Sequence, residues 1–368
     1  MKSNFEAVPF SLSTASGRQI DSWFDLKSAV FREALPEGPG VSKNELLQRA
    51  HALNEIQEFS EWALWDRTDS NMLGFCRIHT SRLRVNNDVA SFTIIVRESH
   101  RRLGIGHLFL KCIADTARAL ECKLLRGRSS ERCIAGSAFL TEIGAESISA
   151  SHINQLLLKD IDRSIIRRWL ELPEECYCKI NVRDWQGIIP EEYIQEVTDL
   201  YQIVYDKERQ KKGREKEIFV FSPEQIRRGE KIVFAGNKKR IITCATDPNG
   251  QLLGLTEISW SPARPGFLFQ GYTAVLPDAR GIGIGRRLKA EMLRKILNEL
   301  PDAELIRSGN DDSNRAILNI NNELGFKHLI ANTTWQIETG ALEKYLAYKD
   351  IQKPTIRPKG RGIRPSSD

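Results

Sequence analysis

Residues 275–288 read VLPDARGIGIGRRL, and residues 101–106 read RRLGIG, so the pattern Arg-x-x-Gly-x-Gly occurs twice, about half a chain apart. Each copy lies between a strand-like apolar run and a helix-like run. These are ASFTIIV (90–96) and HLFLKCIADTARAL (107–120) for the first copy, and FLFQGYTAV (267–275) and RRLKAEMLRKIL (286–297) for the second. A strand, a glycine turn and a helix N-terminus direct unpaired backbone N–H groups and a positive dipole end to one point, which suits a pyrophosphate. The repeat therefore predicts a duplicated site for a phosphate-bearing cofactor.

Length and composition indicate a soluble protein of two domains. The chain has 368 residues, of which 41% are hydrophobic and 28% charged, so each half can bury its own core. No basic-then-apolar leader and no run of 18 apolar residues occurs, and we expect a cytoplasmic protein with no membrane partner. The seven cysteines are scattered and should be reduced. Cys176-x-Cys178 is too tightly spaced for a usual zinc site, so no metal is predicted.

The order of predicted elements repeats in the two halves. We expect an N-terminal domain over 1–160, a linker over 161–175, a C-terminal domain over 176–348 and a disordered basic tail over 349–368. The fold class is α/β (an α+β mixed sheet), with one twisted, mostly antiparallel sheet per half and helices on both faces. Helices are predicted over 20–35, 42–58, 107–120, 132–143, 190–208, 222–234, 286–299 and 313–324. Strands are predicted over 62–66, 72–79, 88–96, 123–127, 177–184, 240–246, 252–260, 267–276 and 304–308.

Other glycine-rich motifs fit this chain poorly. A dinucleotide site needs Gly-x-Gly-x-x-Gly, whereas Gly281, Gly283 and Gly285 are spaced Gly-x-Gly-x-Gly. The nucleotide-triphosphate loop Gly-x-x-x-x-Gly-Lys-[Ser/Thr] does not occur in the sequence. A plain structural turn remains the simplest alternative, and two copies in matching contexts weigh against it.

Residues 275–288 resemble the cofactor motif of the GNAT superfamily, the acyl-CoA-dependent N-acyltransferases. Residues 309–326 (GNDDSNRAILNINNELGF) resemble the second half-motif of that family, an Asn-led helix ending in Leu-Gly-Phe. The copy at 101–106 is a weaker match, because residues 131–145 lack the Asn-led helix and end in Glu-Ile-Gly-Ala. Together the halves resemble tandem GNAT proteins, and the resemblance covers about residues 15–340.

The resemblance implies where acetyl-CoA would bind. The pantetheine would pair with the backbone of the strand before each turn, and the turn amides would hold the pyrophosphate, with Arg280 or Arg286 adding charge. Asn314 matches a position that often contacts the cofactor. The implied cofactor-binding residues are Ala274, Val275, Leu276, Arg280, Gly281, Ile282, Gly283, Ile284, Gly285, Arg286, Asn314 and Asn321 in the second half, and Ile95, Val96, Arg101, Arg102, Leu103, Gly104, Ile105, Gly106 and His107 in the first.

Two residues are candidates for the chemistry. A lysine-like amine is almost entirely protonated at pH 7, so a carboxylate that removes its proton would accelerate acyl transfer. Glu257 is the candidate base, although an exposed strand glutamate fits the same pattern. In the GNAT family, a tyrosine four residues before the Gly-Phe pair usually gives a proton to the departing thiolate. Here that position is Asn321, and Leu140 in the first half, so Tyr272 is the substitute candidate. The first half should then be catalytically weaker or silent, although His79, His100 and His107 leave a catalytic role open there.

The expected activity is transfer of an acetyl group from acetyl-CoA to a primary amine of a small molecule, for example in antibiotic self-resistance or metabolite biosynthesis. Two alternatives stay open: acetylation of a protein or peptide, and a catalytically silent acyl-CoA sensor. Nucleic acid is an unlikely partner, and the protein is expected to be a monomer or a dimer.

Overall fold

The computed structural model describes residues 5–38, 40–82, 88–171, 180–211, 220–311 and 314–351. The first half of the chain contains β1 (Val8–Pro9), α1 (Gly17–Ala34), α2 (Lys43–Leu53), β2 (Gln57–Trp65), β3 (Met72–Ser81), β4 (Val89–Val96), α3 (Ile105–Ala119), β5 (Leu124–Ser130), α4 (Ile134–Glu142), β6 (Glu146–Leu157) and α5 (Arg163–Leu170). The second half contains β7 (Asn181–Gln186), α6 (Ile194–Lys211), α7 (Pro223–Phe234), β8 (Lys239–Thr246), β9 (Leu252–Trp260), β10 (Phe267–Val275), α8 (Ile284–Glu299), β11 (Leu305–Asp311), α9 (Arg315–Glu323), β12 (Lys327–Glu338) and α10 (Thr339–Ile351).

Three helices begin at capping boxes that the sequence makes possible. Ser42 accepts a hydrogen bond from the backbone N–H of Glu45, whose side chain accepts one from the backbone N–H of Ser42. Ser16 with Gln19 and Ser222 with Gln225 form the same arrangement at α1 and α7. Each box satisfies two N–H groups that a helix N-terminus otherwise leaves unpaired, so the sequence fixes these three start points locally.

All the strands join one sheet in the order β1-β2-β3-β4-β5-β12-β6-β11-β10-β9-β8-β7. Neighbours are antiparallel except β4 with β5 and β10 with β11, which are parallel. The mixed, mostly antiparallel sheet is therefore as predicted. The prediction of a separate sheet for each half is wrong, because β12 pairs with β5 and β6 pairs with β11. Each half thus supplies the strand that completes the sheet of the other half.

The exchange also pairs the two long strands with each other, which joins the sheets. In one row across the seam, Ser130 pairs with Asn332, Asn332 with Ser151, and Ser151 with Asp311. The helices that follow the exchanged strands move with them: α10 packs on α3, and α5 packs on α8. The predicted domain boundary over residues 161–175 stays a prediction. Within it, Arg163–Leu170 is helix α5 rather than an irregular linker.

Helices cover both faces of the sheet, as alternating side chains show. Ile78 of β3 lies in a core with Phe109 of α3, whereas Phe75 of the same strand lies with Trp23 of α1 on the opposite face. In the second half, Ile258 of β9 packs with α8 residues, and Leu255 packs with α6 residues. This two-sided burial matches the period of two along a strand.

Several predicted boundaries are corrected. The helix predicted over 42–58 ends at Leu53, and β2 has already begun at Gln57. The strands β6 and β12 and the helices α5 and α10 were not predicted. The basic tail predicted from 349 begins within α10, and its remaining residues, 352–368, lie outside the described residues. In the part of the chain that the structure describes, no helix is both long and apolar enough to cross a membrane.

Candidate active site

The two parallel strand pairs separate part-way along their length. β10 pairs with β11 only from Phe267 to Gln270, and β4 pairs with β5 only from Val89 to Ser91. Beyond these points, and among the residues that the structure describes, the remaining backbone of β10 and of β4 has no strand partner on that side. Each half therefore contains a V-shaped cleft in which an extended ligand could pair with the strand backbone. The predicted residues Ala274, Val275, Ile95 and Val96 lie on these unpaired segments.

The glycine turns have the same backbone geometry in both halves. Gly283 is the N-cap of α8 with φ 93° and ψ −1°, and Gly104 is the N-cap of α3 with φ 85° and ψ 0°. Gly281 also has a positive φ of 83°. Its counterpart Arg102 adopts φ 65°, which costs a non-glycine residue about 1 kcal/mol. The left-handed cap directs the first amides of each helix toward one point, which is the arrangement that binds phosphate.

The arginines of the repeated motif close the turn rather than reach out of it. Arg280 Nε donates to the carbonyl oxygen of Val275 at 2.9 Å, and Arg101 Nε donates to that of Val96 at 3.2 Å. Arg101 also pairs with Glu33 through both terminal nitrogens. Arg286 pairs with Glu323 at 2.5 Å. These arginine side chains are therefore already engaged within the protein, whereas the turn presents backbone amides.

Other predicted cofactor residues divide between the turn surface and the core. Ile282 and Leu103 are exposed at the tips of the turns, while Ile284 and Ile105 are 1% exposed and anchor the helices. Asn314 is the N-cap of α9 and makes no side-chain capping bond. Asn321 is fully buried, so its side chain does not reach the cleft surface. His107 hydrogen-bonds through Nε2 to the Tyr345 hydroxyl at 2.5 Å and so faces α10.

A β-bulge in β10 brings Glu257 to the cleft. The register with β9 shifts between Gln270 and Thr273, leaving Gly271 and Tyr272 outside regular pairing. The backbone N–H of Tyr272 donates to Glu257 Oε1 at 3.0 Å. A side chain at Gly271 would overlap the Glu257 carboxylate, which explains why glycine stands there. The bulge therefore holds a carboxylate where β10 separates from β11, and both predicted catalytic residues, Glu257 and Tyr272, meet there.

Glu257 lies at the end of a buried chain of charges. Its side chain is 13% exposed, and Arg240 Nη1 lies 3.5 Å from Glu257 Oε2. Arg240 also pairs with the buried carboxylate of Glu230, which in turn accepts from Arg227 at 2.7 Å. Burial raises the pKa of Glu257 above its usual value, and the Arg240 guanidinium only partly opposes this effect. A carboxylate with a raised pKa is a better general base near neutral pH.

Sequence reasoning missed Arg240 and Glu230, the residues that support Glu257. Arg240 Nε donates to the carbonyl oxygen of Gly187, and Glu230 accepts the backbone N–H of Ile189 at 2.8 Å. Both side chains are about 5% exposed. The sequence shows only a glutamate and an arginine at the two ends of residues 230–240. It does not indicate that their side chains form an ion pair.

Aromatic side chains form one wall beside Glu257. The rings of Tyr201 and Tyr272 lie 4.5 Å apart, and Phe221 packs edge-on against Tyr201. Burial raises the pKa of Tyr201 well above its usual value, so its hydroxyl stays protonated. Tyr272 is 45% exposed, which places part of this wall within reach of a bound molecule.

The first half has the turn but lacks the carboxylate. The strand registers align Gly74 with Gly254 and Phe75 with Leu255, so Arg77 occupies the position of Glu257. Arg77 pairs with Glu61, and β4 shows continuous register with β3 and no bulge. A cavity of about 340 Å³ lies beside this ion pair. The His79 and Phe59 rings lie 5.8 Å apart at an interplanar angle of 54°, and His100 Nδ1 lies 2.9 Å from the Ser99 hydroxyl.

Two clefts with left-handed glycine turns, one of them carrying a buried carboxylate, define a duplicated fold. Solved structures agree. Over 92% of this chain and 99% of the other, a tandem GNAT protein from the clavulanic acid biosynthesis pathway superposes with a TM-score of 0.74 at 21% identity. A GCN5-related N-acetyltransferase from Sphaerobacter thermophilus superposes over 91% and 96% of the two chains, with a TM-score of 0.60 at 13% identity.

A third likeness is to a glucosamine N-acetyltransferase region of a fungal multi-domain protein, with a TM-score of 0.61 at 14% identity over 91% of this chain and 38% of that one. No protein-family model matches the sequence, and no curated protein matches it significantly. The chain has the tandem GNAT fold.

Proposed function

We propose that this protein is an acyl-CoA-dependent N-acetyltransferase that acetylates a primary amine of a small molecule, with the chemistry in the second half. The observation that carries the proposal is Glu257, held by the bulge of β10 at the point where β10 leaves β11. A base, an unpaired strand backbone and a phosphate-type turn thus lie along one cleft.

The residues of the second cleft fit acetyl-CoA. The backbone of Ala274, Val275 and Leu276 would pair with its extended arm, and the turn around Gly281 and Gly283 would bind its pyrophosphate. A Cβ added at Gly281 would meet nothing within 4 Å, so the turn surface is open. When bound, acetyl-CoA supplies the activated acyl group as a thioester.

Glu257 is placed to take a proton from the attacking amine at its carboxylate, directly or through water. Its Oε1 already accepts the Tyr272 N–H, so Oε2, on the Arg240 side, is the oxygen with capacity to receive the proton. The Tyr272 hydroxyl, on the exposed side of the bulge, is the candidate donor to the leaving sulfur. The buried Arg240–Glu230 pair holds the Glu257 carboxylate in place while its charge changes.

The aromatic wall favours a small amine as the substrate. Tyr201, Phe221 and Tyr272 present apolar faces beside a carboxylate, which together suit an ammonium group on a compact apolar body. Acetylation of a peptide is the alternative within the same chemistry.

The first half favours a second function, acyl-CoA binding without turnover. Its turn reproduces the cofactor-type geometry, yet Arg77 stands where the base would be and no bulge is present. An arginine remains protonated and cannot accept the proton of an amine. This half would therefore bind or sense the cofactor.

The test of the catalytic proposal is release of free thiol from acetyl-CoA with a panel of amines, peptides and aminoglycosides. In Glu257→Gln, turnover should fall by about 10²–10⁴-fold while cofactor affinity is retained. The matched control is Glu224→Gln, because Glu224 is exposed on α7 and pairs only with Arg228 among the contacts the structure describes. Unchanged turnover in Glu257→Gln would reject the base, and thiol release confined to peptides would reject the small-molecule substrate. If no amine releases thiol, the sensor function replaces the enzyme.

The internal repeat provides its own test of cofactor binding. Calorimetry with acetyl-CoA should show lost affinity at one site for the double variant Gly283→Asp with Gly285→Asp, because the introduced carboxylates would repel the pyrophosphate at the turn. The equivalent pair, Gly104→Asp with Gly106→Asp, should remove a second site if the first half binds too. Wild-type stoichiometry of two supports both clefts. Undiminished affinity in the second-half variant places the cofactor elsewhere.

A further inference from the structure

Two histidines meet at the seam between the exchanged strands. His152 of β6 and His328 of β12 have their Nδ1 atoms 3.1 Å apart, with ring planes at 64°. His328 Nε2 lies 2.9 Å from Glu131 Oε1, just beyond β5. The cluster therefore joins three strands that come from both halves of the chain, and neither proposed acyl-transfer cleft uses it.

An irregularity in β12 creates this contact. The register with β6 shifts between His328, which pairs with Asn154, and Ile330, which pairs with Ile153. A bulge of this kind re-aims the side chain beside it. His328 is thereby brought diagonally toward His152, which pairs with Ala331. Without the extra residue at 329, the side-chain alternation beyond it would be reversed relative to β6.

Glu131 fixes both the orientation and the tautomer of His328. Its Oε1 also accepts the backbone N–H of Ala331 at 2.8 Å, so the carboxylate is held from two sides. Because Glu131 accepts a hydrogen bond from Nε2–H of His328, a neutral His328 has its lone pair on Nδ1. That atom faces His152. A carboxylate behind a histidine is the usual support of a metal-ligating imidazole.

The spacing of the two nitrogens suits one zinc ion. Two nitrogens bound to Zn²⁺ at 2.0–2.1 Å in a tetrahedron lie about 3.3 Å apart, close to the 3.1 Å observed. We propose that His152 and His328 bind Zn²⁺ through their Nδ1 atoms, with Glu131 as the residue that orients His328. Within the described ranges, no group of three or more His, Cys, Asp or Glu side chains has metal-binding geometry, so the proposed site has two protein ligands there.

Such an ion would link the two halves of the chain between the open ends of the two clefts. The seam row that contains Ser151 and Asn332 connects the C-terminal ends of β5 and β11, toward which both clefts widen. Zinc bound there stabilises the pairing of β6 with β12 and so the exchanged arrangement itself. It would act as a clip between halves rather than as a catalytic ion.

The experiment is calorimetric titration of the full chain, freed of metal by a chelator, with ZnCl₂, and with Co²⁺ followed by its visible absorption. The wild type should bind one equivalent of zinc at this site. His152→Gln and His328→Gln should each abolish that binding, and Glu131→Gln should weaken it by roughly 10–100-fold. The matched control His51→Gln, an exposed histidine of α2, should bind like the wild type.

A second readout separates this site from zinc bound by cysteines. Zinc should raise the melting temperature of the wild type and of His51→Gln but not of His328→Gln, since only a native-state site stabilises the fold. The proposal is overturned if the wild type takes up no zinc. It is also overturned if both histidine variants retain wild-type affinity, which would leave the Nδ1 pair as a direct N–H···N hydrogen bond.

Discussion

Replacing Lys289 by methionine should stabilise the protein, and more so at pH 7 than at pH 9. Lys289 lies on α8 with 2% of its surface exposed, and within the described residues its Nζ has no hydrogen-bond partner. The repeat places Leu110, which is fully buried, at the equivalent position of α3. Burial lowers the pKa of Lys289 from 10.5 to about 7. Methionine keeps the length of the side chain and removes the amine.

The size of the effect follows from this pKa. The unfolded chain holds a lysine proton up to about pH 10.5, whereas the folded chain loses it near pH 7, so stability rises with pH between these values. With these two pKa values, burial of the Lys289 amine lowers the free energy of unfolding by about 4 kcal/mol at pH 7 and by about 2 kcal/mol at pH 9. The gain in Lys289→Met should therefore shrink by up to about 2 kcal/mol over this pH range.

Urea unfolding at pH 7, 8 and 9 measures the effect directly. Lys344→Met is the matched control, because Lys344 is an exposed lysine on α10 and its replacement removes no buried amine. A gain in Lys289→Met that is equal at pH 7 and pH 9 would refute the buried neutral amine. Destabilisation at both pH values would show that Nζ has a partner.

Four further outcomes are expected. Gly271→Ala should displace the Glu257 carboxylate and lower kcat by roughly 100-fold in the thiol-release assay, and an unchanged rate would contradict the tight bulge. The acid limb of the pH–rate profile should lie above the ordinary glutamate pKa and should vanish in Glu257→Gln. Ser222→Ala should cost about 1 kcal/mol of unfolding free energy, measured in urea, through loss of the capping box. Burial raises the pKa of Cys244 to about 12 and that of Cys76 higher still, so peptide mapping after alkylation of the native protein at pH 8 should find both unmodified.

The repeated turn could be predicted from sequence because its determinants are local. Gly104 and Gly283 occupy left-handed positions that glycine adopts without strain, and the apolar runs beside them have the periods of a strand and a helix. Glu257 was predicted as the base from its place on the strand beside β10. Its support by Arg240 was not, since that contact depends on the fold of residues 187–240.

The exchanged strands could not be predicted because their evidence is not local. β6 (ESISASHINQLL) and β12 (KHLIANTTWQIE) are polar along much of their length, so neither has a clear alternating pattern. Their stability comes from pairing with each other and with β5 and β11. The difference between Glu257 and Arg77 likewise emerges only once the two strand registers are aligned.

The exchange of strands sets an order for folding during synthesis. Ser130 of β5 pairs with Asn332 of β12, which is synthesised about 200 residues later (332 − 130), so the first sheet stays incomplete with an exposed edge while most of the second half is translated. Contacts between such distant residues close large loops, and chains dominated by them fold slowly. A chain that stops before residue 327 leaves β5 and β6 each unpaired on the side that β12 occupies. The two halves are therefore expected to reach the native state together, once β12 has been made, rather than one after the other.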